Sequence, residues 1–377
     1  MKKILLTVFI GLTTAMIHAD SQSEIFNRTT EHLDKGGIYF QYQNLENLSS
    51  QILTIIETAE NSLPQNPSHK RVLSSLTQFI NVLNLNDIQS AGLSIKRLSP
   101  TLYANKSFLT VKQGNNNLLF ALDNQQNHSF TLPSLLPENT IFAAGSYLDW
   151  NNLYKKLELA APDKEQFKVY CSMFEQSLQF KLKDMAANIS GEFFAGIFKG
   201  RQMHRYHFMI IIPDRNGMLE NLCRKYFGAM IQNIKNNKIR ITLPLAESDF
   251  GNGITLESRN GCIAIFNSDF KDVNFSVKAK KLSAVNPAIF KSLNKTTGTS
   301  YLVCNFDPSW LDSTIRSCSY MYCGTIKYTP YGYAGESISN FNLNNFAEYA
   351  PLLKLLPEKI KKNTVTDTTS IQKKYKN

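Results

Sequence analysis

Few residues of this chain stand at spacings that support chemistry. Ser292 and Lys295 form the S-x-x-K pattern of penicillin-interacting enzymes, in which a serine beside a lysine attacks a carbonyl. Lys295-Thr-Thr-Gly298 is loosely similar to the K-T-G strand of the same class. In those enzymes the two motifs come from opposite walls of a cleft. Here they share one lysine, so they cannot fill both roles, and the match is chance. His204 and His207 lie on a predicted strand, where a spacing of three points side chains to opposite faces and away from a common metal. No phosphate loop, nucleophile elbow or H-E-x-x-H pair occurs. The sequence therefore assigns no catalytic, cofactor-binding or metal-ligating residue, and no cofactor is expected.

Two residue types remain as candidates. The six cysteines are Cys171, Cys223, Cys262, Cys304, Cys318 and Cys323. An even count permits disulfides in an oxidising compartment. The first three are isolated on predicted helices and strands and read as free thiols. Cys318 and Cys323 close a short loop, so the one bridge favoured by spacing is Cys318–Cys323. Seven of the sixteen tyrosines fall between Tyr301 and Tyr349. A tyrosine ring is apolar with a polar tip, the combination used at binding surfaces. Tyr320, Tyr322, Tyr328, Tyr331 and Tyr333 form the candidate partner surface, and Tyr328-Thr-Pro-Tyr-Gly-Tyr333 reads as an exposed turn.

The elements that must position these residues follow a repeated pattern of aromatic-rich strand, Asn or Asp, and amphipathic helix. It occurs at Ile38–Tyr42 with Asn44, Ile141–Tyr147 with Asp149, His207–Ile212 with Asp214, and Tyr301–Phe306 with Asp307. The four junction residues, three of them acidic, invite reading as a catalytic quartet. Each stands where a strand turns into a helix, so capping of free helical N–H groups is the better account. The first and third elements, and the second and fourth, are separated by roughly 160 to 170 residues, the mark of an internal duplication. Leu132-Pro-Ser-Leu-Leu-Pro137 and Leu282-Ser-Ala-Val-Asn-Pro287 echo each other ahead of the second and fourth elements.

Strands are expected at Leu93–Leu98, Tyr103–Lys112 and Asn117–Asp123, and again at Lys238–Leu245, Ile254–Ser258 and Cys262–Asn267. Asn260-Gly261 between alternating apolar residues marks a tight hairpin. A long helix after Pro162 carries Phe167, Tyr170, Phe174, Leu178, Leu182 and Met185 and is expected to pack across a sheet. The pattern predicts an α+β fold of two duplicated halves, 20–188 and 189–357, each an antiparallel sheet with helices on one face.

The chain ends give the cellular address. Lys2 and Lys3 precede an apolar stretch from Ile4 to Ile10, and Ala19 closes a cleavage site, so 1–19 reads as a secretory signal peptide. The apolar stretch is too short to span a bilayer, and no transmembrane span is expected after its removal. Residues 358–377 are lysine-rich and polar and are expected to form a disordered basic tail. Hydrophobic residues make up 43% of the 377, enough for a real core, and the formal charge is +11. Such a charge favours anionic surfaces, but arginine stripes interleaved with aromatics are missing, which excludes a nucleic-acid groove. Seven N-x-[ST] triplets occur, at Asn27, Asn47, Asn105, Asn127, Asn188, Asn274 and Asn294.

The strand–Asp–helix elements, the Leu132–Thr140 connector and Ile189-Ser-Gly-Glu-Phe193 resemble a loose family of exported bacterial proteins built from domains of unknown function. The resemblance implies export and an α+β build, and brings no activity or functional residue with it. The expectation is an exported, periplasmic or extracellular, non-catalytic protein that binds a partner protein or envelope polymer. Two other classes stay open: a hydrolase acting on envelope polymers, and a carrier whose helices cover a concave sheet lined by Phe and Leu.

Overall fold

Where the sequence predicts two comparable sheets, the described residues form one large sheet with a two-stranded ribbon beside it. The computed structural model describes residues 24–62, 72–74, 76–77, 80, 85–112, 120–122, 125–161, 163–200, 206–228, 231–234, 238–244, 253–259, 261–267, 280–285, 287–290, 297–307 and 320–340. The expected signal peptide with Ala19, the basic tail, Cys318 and the helix after Asp307 lie outside the described residues.

In chain order, helix α1 (Glu24–Glu31) and strand β1 (Tyr39–Asn44) precede helix α2 (Leu48–Ser62) and the hairpin β2 (Ile88–Ser99) and β3 (Leu102–Val111). The short β4 (His128–Ser129) comes before β5 (Thr140–Leu148), which leads into α3 (Trp150–Ala160), α4 (Lys164–Leu178) and α5 (Leu182–Asn188). Strands β6 (Gly191–Lys199) and β7 (Tyr206–Pro213) follow, then α6 (Met218–Phe227) and four strands: β8 (Ile231–Ile234), β9 (Lys238–Pro244), β10 (Gly253–Arg259) and β11 (Cys262–Phe266). The one-turn helices α7 (Leu282–Val285) and α8 (Pro287–Phe290) lead to β12 (Thr297–Gly298), β13 (Ser300–Phe306), β14 (Tyr320–Thr329) and β15 (Gly332–Ser339).

Thirteen strands form one antiparallel sheet in the order β1-β2-β3-β15-β14-β13-β5-β6-β7-β11-β10-β9-β8. The α+β class and antiparallel pairing agree with the sequence reading; the separate sheets do not. Strands β13 to β15, from the second expected half, lie between β3 and β5 of the first. Each would otherwise present unpaired N–H and C=O groups, and pairing them across the join removes those edges. Among the repeated elements, β5 and β13 are neighbours at the centre, whereas β1 is an edge strand and β7 lies inside the sheet. The expected hairpin forms between β10 and β11, with Arg259 opposite Cys262 and Gly261 at φ 74°.

One sheet face, called closed here, holds the main core. Paired residues share a face, so the register places Ala143, Phe194, Met209, Phe266, Val303 and Cys323 together, each at 3% exposure or less. Leu136, Leu282, Ile289 and Phe290, from the two connectors, cover it. The connectors also meet each other: Leu282 N–H donates to the Leu136 carbonyl at 3.0 Å, and Lys280 pairs with Glu138 at 2.6 Å. At the far end α1 lies on the same face, where Thr29 Oγ1 bonds the hydroxyls of Ser90 (2.6 Å) and Thr110 (2.7 Å). Helix α2 covers the opposite face there, packing Leu48 and Ile52 against Leu45, Val111 and Tyr333.

Two further expectations are corrected. Residues 120–122 of the predicted strand Asn117–Asp123 are not extended; Phe120 plugs the smaller core and stacks on Tyr333 at 4.8 Å between ring centres. The long helix after Pro162 is two helices, broken at Gln179, which adopts a left-handed φ of 60°. Glu175 then accepts from the Leu182 N–H at 2.9 Å and starts α5. Helix α4 does not pack across the sheet: it has no buried residue, and Tyr170 and Phe174 are exposed. No described helix is long and apolar enough to cross a membrane.

Two glycines let aromatic rings lie on the closed face. A methyl on Gly145 would collide with the Tyr301 ring, and one on Gly196 would stand 2.7 Å from Phe198 and 2.8 Å from Phe194. Gly145→Ala should therefore displace Tyr301 and destabilise the fold by about 1–3 kcal/mol. Urea unfolding would show this as a lower midpoint; an unchanged midpoint would mean the ring is not held there.

Candidate functional site

The open face departs from what an antiparallel sheet requires. A face turned to water normally alternates polar residues with the apolar ones of the core. Here the central strands are apolar on both faces. Phe142 and Ala144 of β5, Phe193 and Ile197 of β6, Phe208 and Ile210 of β7 and Phe306 of β13 all point away from the closed core and remain half-buried. Leu302 of β13 is 38% exposed and Ile326 of β14 43%. Among the described residues the open face of β5, β6, β7 and β13 carries one charged side chain, Lys199, exposed at the end of β6 opposite Tyr206. An apolar expanse of this kind marks a binding surface more often than a monomer's ordinary exterior.

A groove crosses this face. Its larger part, about 470 Å³, is bounded at one end by Phe120, Leu122 and Leu148 and floored by Ser107, Ser146, Ser300 and Gly335. A second part of about 190 Å³ continues to Asn105, Tyr322 and Ser337, and Ser107, Ser300, Ile326 and Gly335 belong to both. The larger part falls within the range of about 300–1,000 Å³ for small-molecule sites. Small residues at alternate strand positions keep the floor low. The strand glycines Gly324 and Gly335 were the sequence signal for this groove, because glycine inside a strand marks close approach of another group.

The five predicted tyrosines are brought together in part. Tyr320, Tyr322 and Tyr328 share the open face with Tyr333, while Tyr331 stands in the turn, 40% exposed, under the Arg28 guanidinium at 4.7 Å. Tyr322 and Tyr333 line the groove. Tyr333 is buried, stacked on Phe120 and met edge-on by Tyr328 at 5.6 Å. Their hairpin is not a projecting flap, since β14 and β15 are interior strands.

Two of the junction aspartates serve the backbone. Asp149 accepts from the Asn152 N–H at 2.9 Å as the cap of α3. Asp214 accepts from Leu219 (2.9 Å) and Glu220 (3.0 Å) at the start of α6 and holds Asn188 Nδ2 at 2.6 Å. Asn44 departs from this: it accepts from the Glu46 N–H at 2.8 Å, making a turn before α2 rather than a cap. Cys323 carries a free, fully buried thiol on β14, and its expected partner Cys318 lies outside the described residues. Burial pushes the thiols of Cys171, Cys223, Cys304 and Cys323 up, the opposite of what activates a nucleophile. Asn105 and Asn188 are 4% and 0% exposed, so neither triplet is open to glycosylation in the folded chain.

One titratable cluster sits on the closed face. Glu192 of β6 accepts from the Thr131 hydroxyl at 3.5 Å and lies beside the Thr131 and Leu132 backbone, meeting the connector that covers the core. Desolvation nevertheless raises its carboxyl above the ordinary value, the hydrogen bonds offsetting only part of the shift. Beside it the Tyr301 hydroxyl is buried without a partner among the described residues, and burial, then the nearby Glu192 charge, pushes its pKa up. His128 stacks on Tyr147 at 3.5 Å. The cluster is a clasp between connector and sheet, without an activated nucleophile.

Comparison with protein-family profiles, curated proteins and solved structures gives no match.

The clasp has a pH signature. Because the folded pKa of Glu192 is raised, the folded state binds the proton more tightly, and that stability is lost as pH rises through the raised pKa. Glu192→Gln should remove this component. Urea midpoints measured from below the ordinary carboxylate range up to neutrality should fall more with pH in the unmutated chain than in the variant; parallel curves would refute the assignment.

Proposed function

We propose that this is an exported, non-catalytic binding protein that carries an apolar ligand on the open face of its sheet. The observation that carries the reading is the pair of apolar faces on β5, β6, β7 and β13, one closed by connectors and the other half-buried beside a groove that β5 and β13 share with β3, β14 and β15. A partner polymer rich in hydroxyls or charge would find little to bond there, because the one charged group of the central open face among the described residues, Lys199, stands at its margin, at the end of β6. The secretory address expected of residues 1–19 would place the ligand in the cell envelope, in keeping with the resemblance to exported domains of unknown function.

The sheet itself we read as the product of duplication. In support, β5 and β13 pair antiparallel at its centre, with Ala143 opposite Val303. Each is preceded by one of the two echoing connectors, and each is followed outward by two more antiparallel strands, β6 and β7 or β14 and β15. Beyond them the hairpins β10–β11 and β2–β3 occupy matching positions. In this reading the copies are interleaved in one sheet, not separated near residue 188.

Titration with the neutral dye Nile red tests the carrier function. Saturable fluorescence enhancement is expected, competed by lipid extract. The double variant Leu302→Glu, Ile326→Glu places charges where the native side chains are already exposed, so its thermal midpoint should stay close to that of the parent. Its dye affinity should fall by about tenfold or more, the effect of desolvating a carboxylate. Absence of saturable binding, or equal binding by the variant, would sink the proposal.

A further inference from the structure

We infer that the groove takes a single-chain amphiphile with an uncharged, hydroxyl-bearing head, and that Asn105 receives the head. The inference rests on the carrier reading and adds the chemical class of the ligand.

The groove has a direction. Phe120, Leu122 and Leu148 close one end with hydrocarbon alone, while Asn105, Ser337 and Tyr322 supply amide and hydroxyl groups at the other. The floor between them is one row across adjacent strands, Ser107, Gly335, Ile326, Ser300 and Ser146, small at every position but Ile326, whose side chain offers an apolar wall to one chain laid along it.

Charge decides the head. The charged residues bordering the polar end are Lys106 and Glu336, which face each other across β3 and β15. Their register places both side chains on the closed face, with Phe108. There Lys106 is paired with Asp34 of the α1–β1 loop at 2.9 Å, and Glu336 with Lys327 at 3.6 Å. The groove side thus presents no counter-ion among the described residues, and an ionised head would be desolvated without compensation.

Asn105 then supplies the polar contact. It is 4% exposed, and its Nδ2 donates to Ser337 Oγ at 3.2 Å and Ser339 Oγ at 3.3 Å. Its Oδ1 is buried with no hydrogen-bond partner among the described residues. Buried amides normally bond at both ends, so an orphaned end on a residue that lines the groove marks a place for a ligand group, reached when the amide turns toward the groove. Turning the amide over would exchange acceptor for donor at that end. A hydroxyl both donates and accepts, and satisfies it in either orientation.

The test is displacement of Nile red from the full chain at pH 8 by monopalmitoylglycerol, palmitate and methyl palmitate. These share one chain and differ in head: neutral with hydroxyls, anionic, and neutral without a donor. Monopalmitoylglycerol is expected to displace the dye at about tenfold lower concentration than either of the others, as one buried hydrogen bond allows. Asn105→Leu should level the three. Because that change also removes two serine hydrogen bonds, the selectivity of the unmutated chain is read first and stands alone. Palmitate or methyl palmitate matching the monoglyceride would overturn the head assignment and leave the carrier function intact. A chain that binds neither dye nor any of the three would overturn both.

Discussion

The antiparallel pairing of β5 with β13 is the contact on which the rest of the molecule depends. It joins Phe142–Ser146 to Ser300–Cys304, segments far apart in the chain, and without it the sheet would be two. On one side of the join lie β13, β14, β15, β3, β2 and β1; on the other β5, β6, β7, β11, β10, β9 and β8. The main core is built directly over this seam, with Ala143 and Val303 fully buried in it and Tyr301 lying across Gly145. The connectors cross-bond above the same seam, as Leu282 to Leu136 and Lys280 to Glu138. Pairing so distant carries a large loop-closure cost, and implies slow folding in which the seam forms late.

Concentrating the connectors on one face has a consequence for the other. Among the described residues, the two connectors that cover the central strands are committed to the closed face. The strands are nevertheless apolar on both faces, a composition that belongs to sheets buried on both sides. On the open face of β5, β6, β7 and β13 the hydrocarbon therefore stays half-buried, and the groove lies where β14 and β15 bring glycines and serines to its floor. Packing economy and ligand capacity are in this sense the same feature: the face left incompletely covered is the face that can accept something from outside the fold.

What was legible in the sequence was local. The β10–β11 hairpin, strands β9 to β11, the cap at Asp149 and the start of β6 each follow from residues within a few positions of one another. Strand order was not legible, because alternation fixes which side chains share a face and says nothing about which strand comes next. That is why the second half's last strands, expected to close their own sheet, are found inside the first. The break at Gln179 escaped for another reason: no Gly or Pro marks it, and it is made by Glu175 reaching forward to the Leu182 N–H. For the site, the tyrosine cluster was legible but not its use. Parity along β14 and β15 brings Tyr320, Tyr322, Tyr328 and Tyr333 to one face and leaves Tyr331 in the turn, a division that only the register reveals.

Charge and groove act on different scales. The net charge of +11 is a property of the whole surface, felt over roughly a Debye length of 8–10 Å, and it draws the molecule toward anionic surroundings. The groove is uncharged, and its two neighbouring ions are neutralised on the far side of the sheet, so its selectivity does not inherit the sign of the surface. A protein that used its basic charge to grip its ligand would show lysines or arginines at the groove wall. Here Lys106 is turned away and bound to Asp34, which separates where the molecule is drawn from what it holds. Salt should therefore weaken its attachment to anionic surfaces without changing its affinity for a neutral amphiphile, because the groove forces are burial and hydrogen bonding, which ionic screening leaves nearly untouched.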